Sequence, residues 1–160
     1  ANASAVVAGP NGTREVAVAD IPTGPGTTSL QAGEFVVSVI LPKPPLRGGD
    51  AYLRFIPRTE MDIAVVGAGV SLSLNEDGTC AAVRLALGAV APTVRLVETA
   101  TDILVGNKLN DSVLNALAIA ASGVCAPIDD KRGTIEFRTK VAGVLARRAA
   151  SIAWQRAEKN

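Results

Sequence analysis

The sequence predicts an α+β fold: three antiparallel strands packed by three helices, preceded by the last strands of another domain. Three observations carry this reading. Apolar runs over Tyr52–Ile56, Asp62–Leu74 and Thr79–Leu87 are joined by a polar loop and by Asn75-Glu-Asp-Gly78. The Asp-Gly pair is a tight-turn signal, so the runs read as a meander. Beyond residue 92 the apolar residues recur at three- and four-residue spacing, the helical period. Between these and the N-terminal part, residues 42–49 hold Pro42, Pro44, Pro45, Gly48 and Gly49, which mark a connector and a domain boundary.

In chain order, the piece over residues 1–49 opens with an apolar run, Ala3–Ala8, and a turn at Gly9-Pro-Asn-Gly12. Arg14–Asp20 then alternates polar and apolar, so the two runs read as a hairpin. Residues 22–29, Pro-Thr-Gly-Pro-Gly-Thr-Thr-Ser, are expected to be loop, and Glu34–Leu41 a buried strand stopped by Pro42. Three strands without a covering helix make a poor independent domain, so this piece is expected to be the end of a larger one.

Residues 50–160 supply the second domain. Pro92 or Thr93 is expected to begin a helix with Leu96, Ala100, Ile103 and Leu104 on one face, stopping at Gly106. Asn110 or Asp111 caps the next, which turns Val113, Leu114, Leu117 and Ala121 inward and ends at Gly123. A polar break at Asp129–Gly133 precedes a third helix running to about Glu158. Its apolar stripe is Phe137, Val141, Val144, Leu145 and Ile152, with Arg138, Lys140, Arg147, Arg148 and Arg156 on a solvated face.

Composition excludes several function classes. Of 160 residues 48% are hydrophobic, as in ordered globular chains, and the net charge of +1 gives no footprint for nucleic acid or an anionic membrane. There is no histidine, which removes histidine general bases, Ser-His-Asp arrangements and histidine metal ligands. Cys80 and Cys125 are too few to hold an iron–sulfur cluster and read as small core side chains. No apolar run is long enough to span a membrane, no secretory leader is visible, and a cytoplasmic protein is the expectation.

The chemistry concentrates in the loop Pro57–Met61 and its edges, where Arg58, Glu60 and Asp62 stand between two strands that fix the loop at both ends. Any charged hairpin loop has this form. Gly67-Ala-Gly69 is not a dinucleotide fingerprint, because it lies inside a strand with no helix following; close packing or a bulge is expected there.

Several motifs recur together. AYLRFIPRTEMDIAVVGAGVSLSL carries an aromatic, a basic residue two later, an arginine-containing loop, then Met-Asp-Ile-Ala and a long apolar strand. GAVAPTVRLVETATDILVG, DDKRGTIEFRTKVAGVLARRA and GPNGTREVAVADIPTGPGTTSLQAGEFVVSVILP follow or precede it in a fixed order. The whole resembles the C-terminal part of the FAD-binding medium subunit of molybdenum hydroxylases, the family of aerobic carbon monoxide dehydrogenase and xanthine dehydrogenase. The resemblance implies that residues 1–49 end a PCMH-type FAD-binding domain and that residues 50–160 are a CO dehydrogenase flavoprotein C-terminal domain.

By the same resemblance, electrons pass from a molybdenum cofactor through two-iron two-sulfur clusters, both held by partner subunits, to FAD on the medium subunit and on to an external acceptor. The implied partners are a molybdenum-binding large subunit and an iron–sulfur small subunit. The phosphate-binding loops would lie upstream, so this chain alone is expected to be inactive. Leu30 matches the leucine of a Thr-x-Leu-x-x-x-Glu turn that touches the flavin, with Thr28 in the threonine position. Arg54 matches a basic residue, usually lysine, that reaches the FAD. Arg58 to Asp62 matches the loop beside the isoalloxazine, where a positive group would favour the reduced, anionic flavin and Asp62 would orient it. Two readings stand beside this: Arg58 and Asp62 simply pair at the loop base, or the helices dock the other subunits with little flavin contact.

Overall fold

The computed structural model describes residues 1–58 and 62–160. Thr59, Glu60 and Met61, and with them the glutamate of the expected charged loop, lie outside the described residues. The chain divides into two compact units, Ala1–Lys43 and Pro44–Asn160.

In the first unit, β1 (Ser4–Gly9) and β2 (Gly12–Ala17) form the expected hairpin, with Gly12 supplying the positive φ that closes it. Two further short strands, β3 (Pro22–Gly24) and β4 (Thr27–Thr28), follow. Strand β5 (Phe35–Ile40) pairs with the other edge of β1, giving the order β2-β1-β5. Two expectations are corrected here. Residues 22–29 are not all loop: β3 and β4 make a small ladder, because the Gly26 turn folds two extended threonine-containing pieces onto each other. And β5 is not buried. Phe35, Val37 and Val39 are 61%, 58% and 56% exposed, since no helix or second sheet of this unit lies over them. Its core is small, with Ala5 and Val7 of β1 fully buried.

The second unit is the α+β domain. Its sheet has the order β6-β7-β8-β9, antiparallel throughout: β6 (Gly48–Phe55), β7 (Val66–Leu74), β8 (Cys80–Gly88) and a two-residue β9 (Arg95–Leu96). The helices are α1 (Ala100–Leu104), α2 (Asp111–Gly123) and α3 (Ile135–Ala157). Strand β7 is central and alternates as a half-buried strand must, with Val66, Ala68, Val70, Leu72 and Leu74 turned to the helices.

Boundaries differ from expectation in three places. The first strand starts at Gly48, not Tyr52. Gly49 lies where α3 crosses β6, and a Cβ there would collide with the carbonyl of Ala153 and the amide of Ala157, so the glycine that marks a turn in sequence serves a close approach. The second strand starts at Val66, not Asp62. Leu96 belongs to the short edge strand β9, paired to Ala86, so the first helix is only Ala100–Leu104.

Helix α2 is capped as expected: the Asn110 side chain accepts from the Val113 amide at 3.0 Å. Helix α3 is capped by Thr134, whose hydroxyl accepts from Phe137 N at 3.1 Å. Of the expected stripe, Leu145 is buried and Val141 and Ile152 pack against the core, but the rest of the stripe does not face inward. Phe137 and Val144 are 39% and 40% exposed, and most of the buried positions beside Leu145 are small: Ala142, Gly143, Ala146, Ala149, Ala150, Ala153 and Ala157, with Arg138 and Trp154 among them. Small residues win that face because α3 lies close to both the sheet and α2; a Cβ on Gly143 would already meet the Ala118 carbonyl. Arg138, expected in solvent, is the one charged residue among those described that is buried as a whole residue. Among those residues no helix is long and apolar enough to cross a membrane.

Candidate functional site

The site is built where β6 ends and β7 begins. The Val65 amide donates to the Phe55 carbonyl at 2.9 Å and closes the base of the intervening loop, and the Phe55 ring packs edge-on against Phe137 of α3, centroids 5.8 Å apart. Asp62 turns inward: its side chain is only 3% exposed. It accepts from Ile63 N at 2.8 Å, from Arg58 Nε at 3.1 Å and from Arg58 Nη2 at 3.4 Å, a forked contact. Arg132 Nε approaches the carboxylate at 3.9 Å. The Arg58 hydrogen bond, reinforced by the Ile63 amide and by Arg132, holds the Asp62 carboxyl below the ordinary aspartate range despite its burial.

A second carboxylate continues the chain of charges. The tight turn Asp130–Gly133 brings Asp130 within 2.8 Å of the Arg132 amide, 2.6 Å of Arg138 Nη2 and 3.8 Å of Arg132 Nη1. These contacts lower the Asp130 carboxyl as well. Arg138 then donates through Nη1 to the Val65 carbonyl at 2.9 Å, and through Nε to Gly133 O at 3.4 Å. Among the described residues, the guanidiniums of Arg58, Arg132 and Arg138 thus face the carboxylates of Asp62 and Asp130. The motif DDKRGTIEFR folds into it: Asp130, Arg132, Gly133, Phe137 and Arg138 all lie here.

On the sheet face away from the helices, Arg54 stands one residue before the end of β6, exposed, opposite Gly67. Tyr52, 66% exposed, sits opposite Gly69, and its ring lies over both glycines: a Cβ on Gly67 would meet Tyr52 Oη at 2.7 Å. The glycine pair therefore marks close packing under an aromatic ring. Gly67 and Gly69 continue across the ladder to Gly88 and Ala86, so this strip of sheet is nearly free of side chains.

Of the expected site residues, Arg58 and Asp62 are brought together and Arg54 lies on the strand leading to them. Leu30 belongs to the first unit. Its amide donates to Thr28 Oγ1 at 3.4 Å, and its turn is held by Glu34, which takes Arg14 Nε and Nη2 at 2.8 Å each and the Gln31 amide at 2.7 Å. That clamp, with Arg14 as its main component, pulls the Glu34 carboxyl down to about 2. The two cysteines are free, and burial pushes both thiols up.

Residues missed from sequence are Asp130, Arg132 and Arg138. The signal was present for Arg138, which stands four residues before Ala142 and in phase with Ala146, Ala149 and Ala153, on the row of small residues.

Residues 51–153 match the profile of the CO dehydrogenase flavoprotein C-terminal domain. The chain belongs to that family. It is 37% identical over 150 residues to the carbon monoxide dehydrogenase medium chain of Afipia carboxidovorans, covering 94% of this chain and 51% of that protein. The solved carbon monoxide dehydrogenase of Hydrogenophaga pseudoflava, in a form lacking the Mo-pyranopterin moiety of its molybdenum cofactor, superposes with a TM-score of 0.90 at 34% identity over 97% of this chain and 53% of the other. Quinoline 2-oxidoreductase from Pseudomonas putida gives 0.88 at 32% identity, over 98% and 53%. This member of the family thus spans about half the length of the relatives it matches.

Proposed function

We propose that this family member serves as the C-terminal part of the FAD-binding medium subunit of a molybdenum-containing hydroxylase. In that reading residues 1–49 complete a FAD-binding domain and residues 50–160 form the domain that follows it. The observation that carries it is the loop-base cluster, with the Asp62 side chain buried, Arg58 forked onto it, Arg132 facing it, and Arg54 on the adjoining strand.

The residues fit such a group. Tyr52, whose exposed ring lies over Gly67 and Gly69, and Arg54 beside it offer a flat ring system an aromatic face and a guanidinium that favours an anionic form. FAD would supply the acceptance of electrons from iron–sulfur clusters and their release to an external acceptor. The chain's own residues hold positive charge at a fixed place: Asp62 orients Arg58, and Leu30 offers an apolar contact from a turn fixed by Glu34. The large molybdenum-binding and small iron–sulfur subunits would be the partners. Phosphate-binding loops lie outside these residues, so the chain by itself binds FAD weakly or not at all.

A second reading, docking of partner subunits with little flavin contact, is favoured by apolar side chains exposed on and near the helices, Ile119 at 75% and Ile128 at 70%. Substituting Arg54 and Arg58 by Gln in the complete, assembled medium chain separates the two. Flavin content and subunit composition are measured together. Loss of flavin from an intact complex supports the flavin-site reading; a complex that falls apart with these changes supports docking.

A further inference from the structure

We infer that Arg138 and Arg132 are positioning residues that set where Arg58 stands, so the start of α3 fixes where the charge of Arg58 sits at the base of the β6–β7 loop. The inference rests on the reading of that loop as flavin-adjacent. Arg138 is 4% exposed and spends its fork on two different elements: Nη1 reaches the Val65 carbonyl at the foot of the loop, and Nη2 reaches Asp130 on the turn before α3. A lysine offers a single ammonium and has no rigid fork with which to span both acceptors. Val65 is then fixed twice over, by its amide on Phe55 and by its carbonyl on Arg138.

Asp130 passes the constraint on. It holds Arg132 through the main-chain amide and through Nη1, and Arg132 Nε in turn faces Asp62. Asp62 therefore meets two guanidiniums, one on its own loop and one on the α3 turn. A carboxylate held by both has one orientation, and the exposed Arg58, whose side chain is otherwise 74% open to solvent, takes its direction from it. Without the second guanidinium, Asp62 keeps only the Ile63 amide and Arg58 itself, and the charge of Arg58 is held less tightly at one place.

The test uses the complete medium chain assembled with its partners, in three variants: Arg58→Gln, Arg132→Gln and Arg138→Lys. Arg132 is partly exposed, so its variant keeps the fold even where the buried Arg138 variant does not. Two readouts are taken: amide hydrogen exchange at Ile63 and Val65, which needs no flavin, and the midpoint potential of the bound flavin by spectral titration against a reference dye. Arg132→Gln is expected to speed exchange at Ile63 several-fold and to shift the potential in the same direction as Arg58→Gln. Arg138→Lys is expected to do the same and to speed exchange at Val65 as well. If Arg58→Gln moves the potential while Arg132→Gln and Arg138→Lys do not, the positioning role is overturned and the flavin reading survives. If Arg58→Gln itself leaves the potential unchanged, the flavin-adjacent reading of the loop fails, and this inference with it.

Discussion

Glu34 shows how much one side chain can hold. Its two oxygens take three donors from two elements, and Arg14 with the Gln31 amide lowers its carboxyl from an ordinary 4.5 to about 2. A carboxylate whose folded value is depressed contributes stability above its unfolded value, and that contribution is lost as pH falls through the folded one. The clamp is therefore complete above about 4.5 and fails on the way to about 2. A carboxyl-carbon NMR titration of Glu34 is expected to find its midpoint near the lower value; a midpoint at the ordinary one would mean that Arg14 does not hold it in solution. Asp62 and Asp130 are lowered for the same reason, hydrogen bonds to guanidiniums and amides. At this scale the sequence was half legible. Arg58 and Asp62 sit four apart in one loop, and their pairing could be read. The contacts of Arg138 could not, because its acceptor on Val65 is a carbonyl 73 positions away, supplied only by the fold. Burying a guanidinium also runs against the usual placement of charge, so the amphipathic pattern assigned it to water.

Among the elements, the α2–α3 contact is the tightest test. Gly143 stands in the middle of a 23-residue helix, where alanine is ordinarily better by about 1 kcal/mol. Here a Cβ would meet the Ala118 carbonyl and Ser122 Oγ, each at 2.8 Å, while Ser122 donates to the Thr139 carbonyl at 3.0 Å. Backbone cannot move aside cheaply, so the sign reverses: Gly143→Ala is expected to destabilise, by about 1–3 kcal/mol, in chemical denaturation. A stabilised variant would show that the helices stand further apart. The existence of most elements was readable from periodicity and turn residues. Their ends were not, and the errors share a cause. Gly48 and Gly49 read as punctuation in sequence, and Gly48 does pack on the Pro45 turn, but Gly49 lies in a strand crossed closely by a helix, which also needs glycine. In α3 the larger apolar residues drew the eye to one face, while packing distance selected the alanine face beside it.

For the molecule as a whole, the uneven burial of the two units matters most. The second unit has a continuous core running from β6 through α3, whereas the first leaves an apolar strand uncovered at the edge of its sheet. An exposed apolar edge strand pairs with its own kind. The 160-residue chain by itself is expected to self-associate at micromolar concentration, and Val39→Lys, at a position 56% exposed, to shift sedimentation velocity towards monomer. Unchanged association in that variant would place the sticky surface elsewhere. Sequence could assign β5 as a strand but placed it in the interior, since an apolar run records what a strand is suited to cover and not whether the cover is present.

Helix α3 is stitched to the sheet at both ends. Arg138 bonds the Val65 carbonyl near its start, and Arg156 bonds the Asp50 carbonyl at 2.6 Å near its finish, with Asn160 reaching Gly48 just beyond. From Arg138 to Arg156 the helix advances about 27 Å, while the two carbonyls are about 20 Å apart along the sheet, since Asp50 pairs with Ser71, six residues beyond Val65. Each arginine reaches its carbonyl only from the face of the helix that it now occupies. Adding or deleting one residue between the stitches would shift every later side chain by about 1.5 Å and turn it by about 100°, out of reach of its carbonyl. Insertions are thus tolerable in the turns, while the interval between these two arginines has no slack.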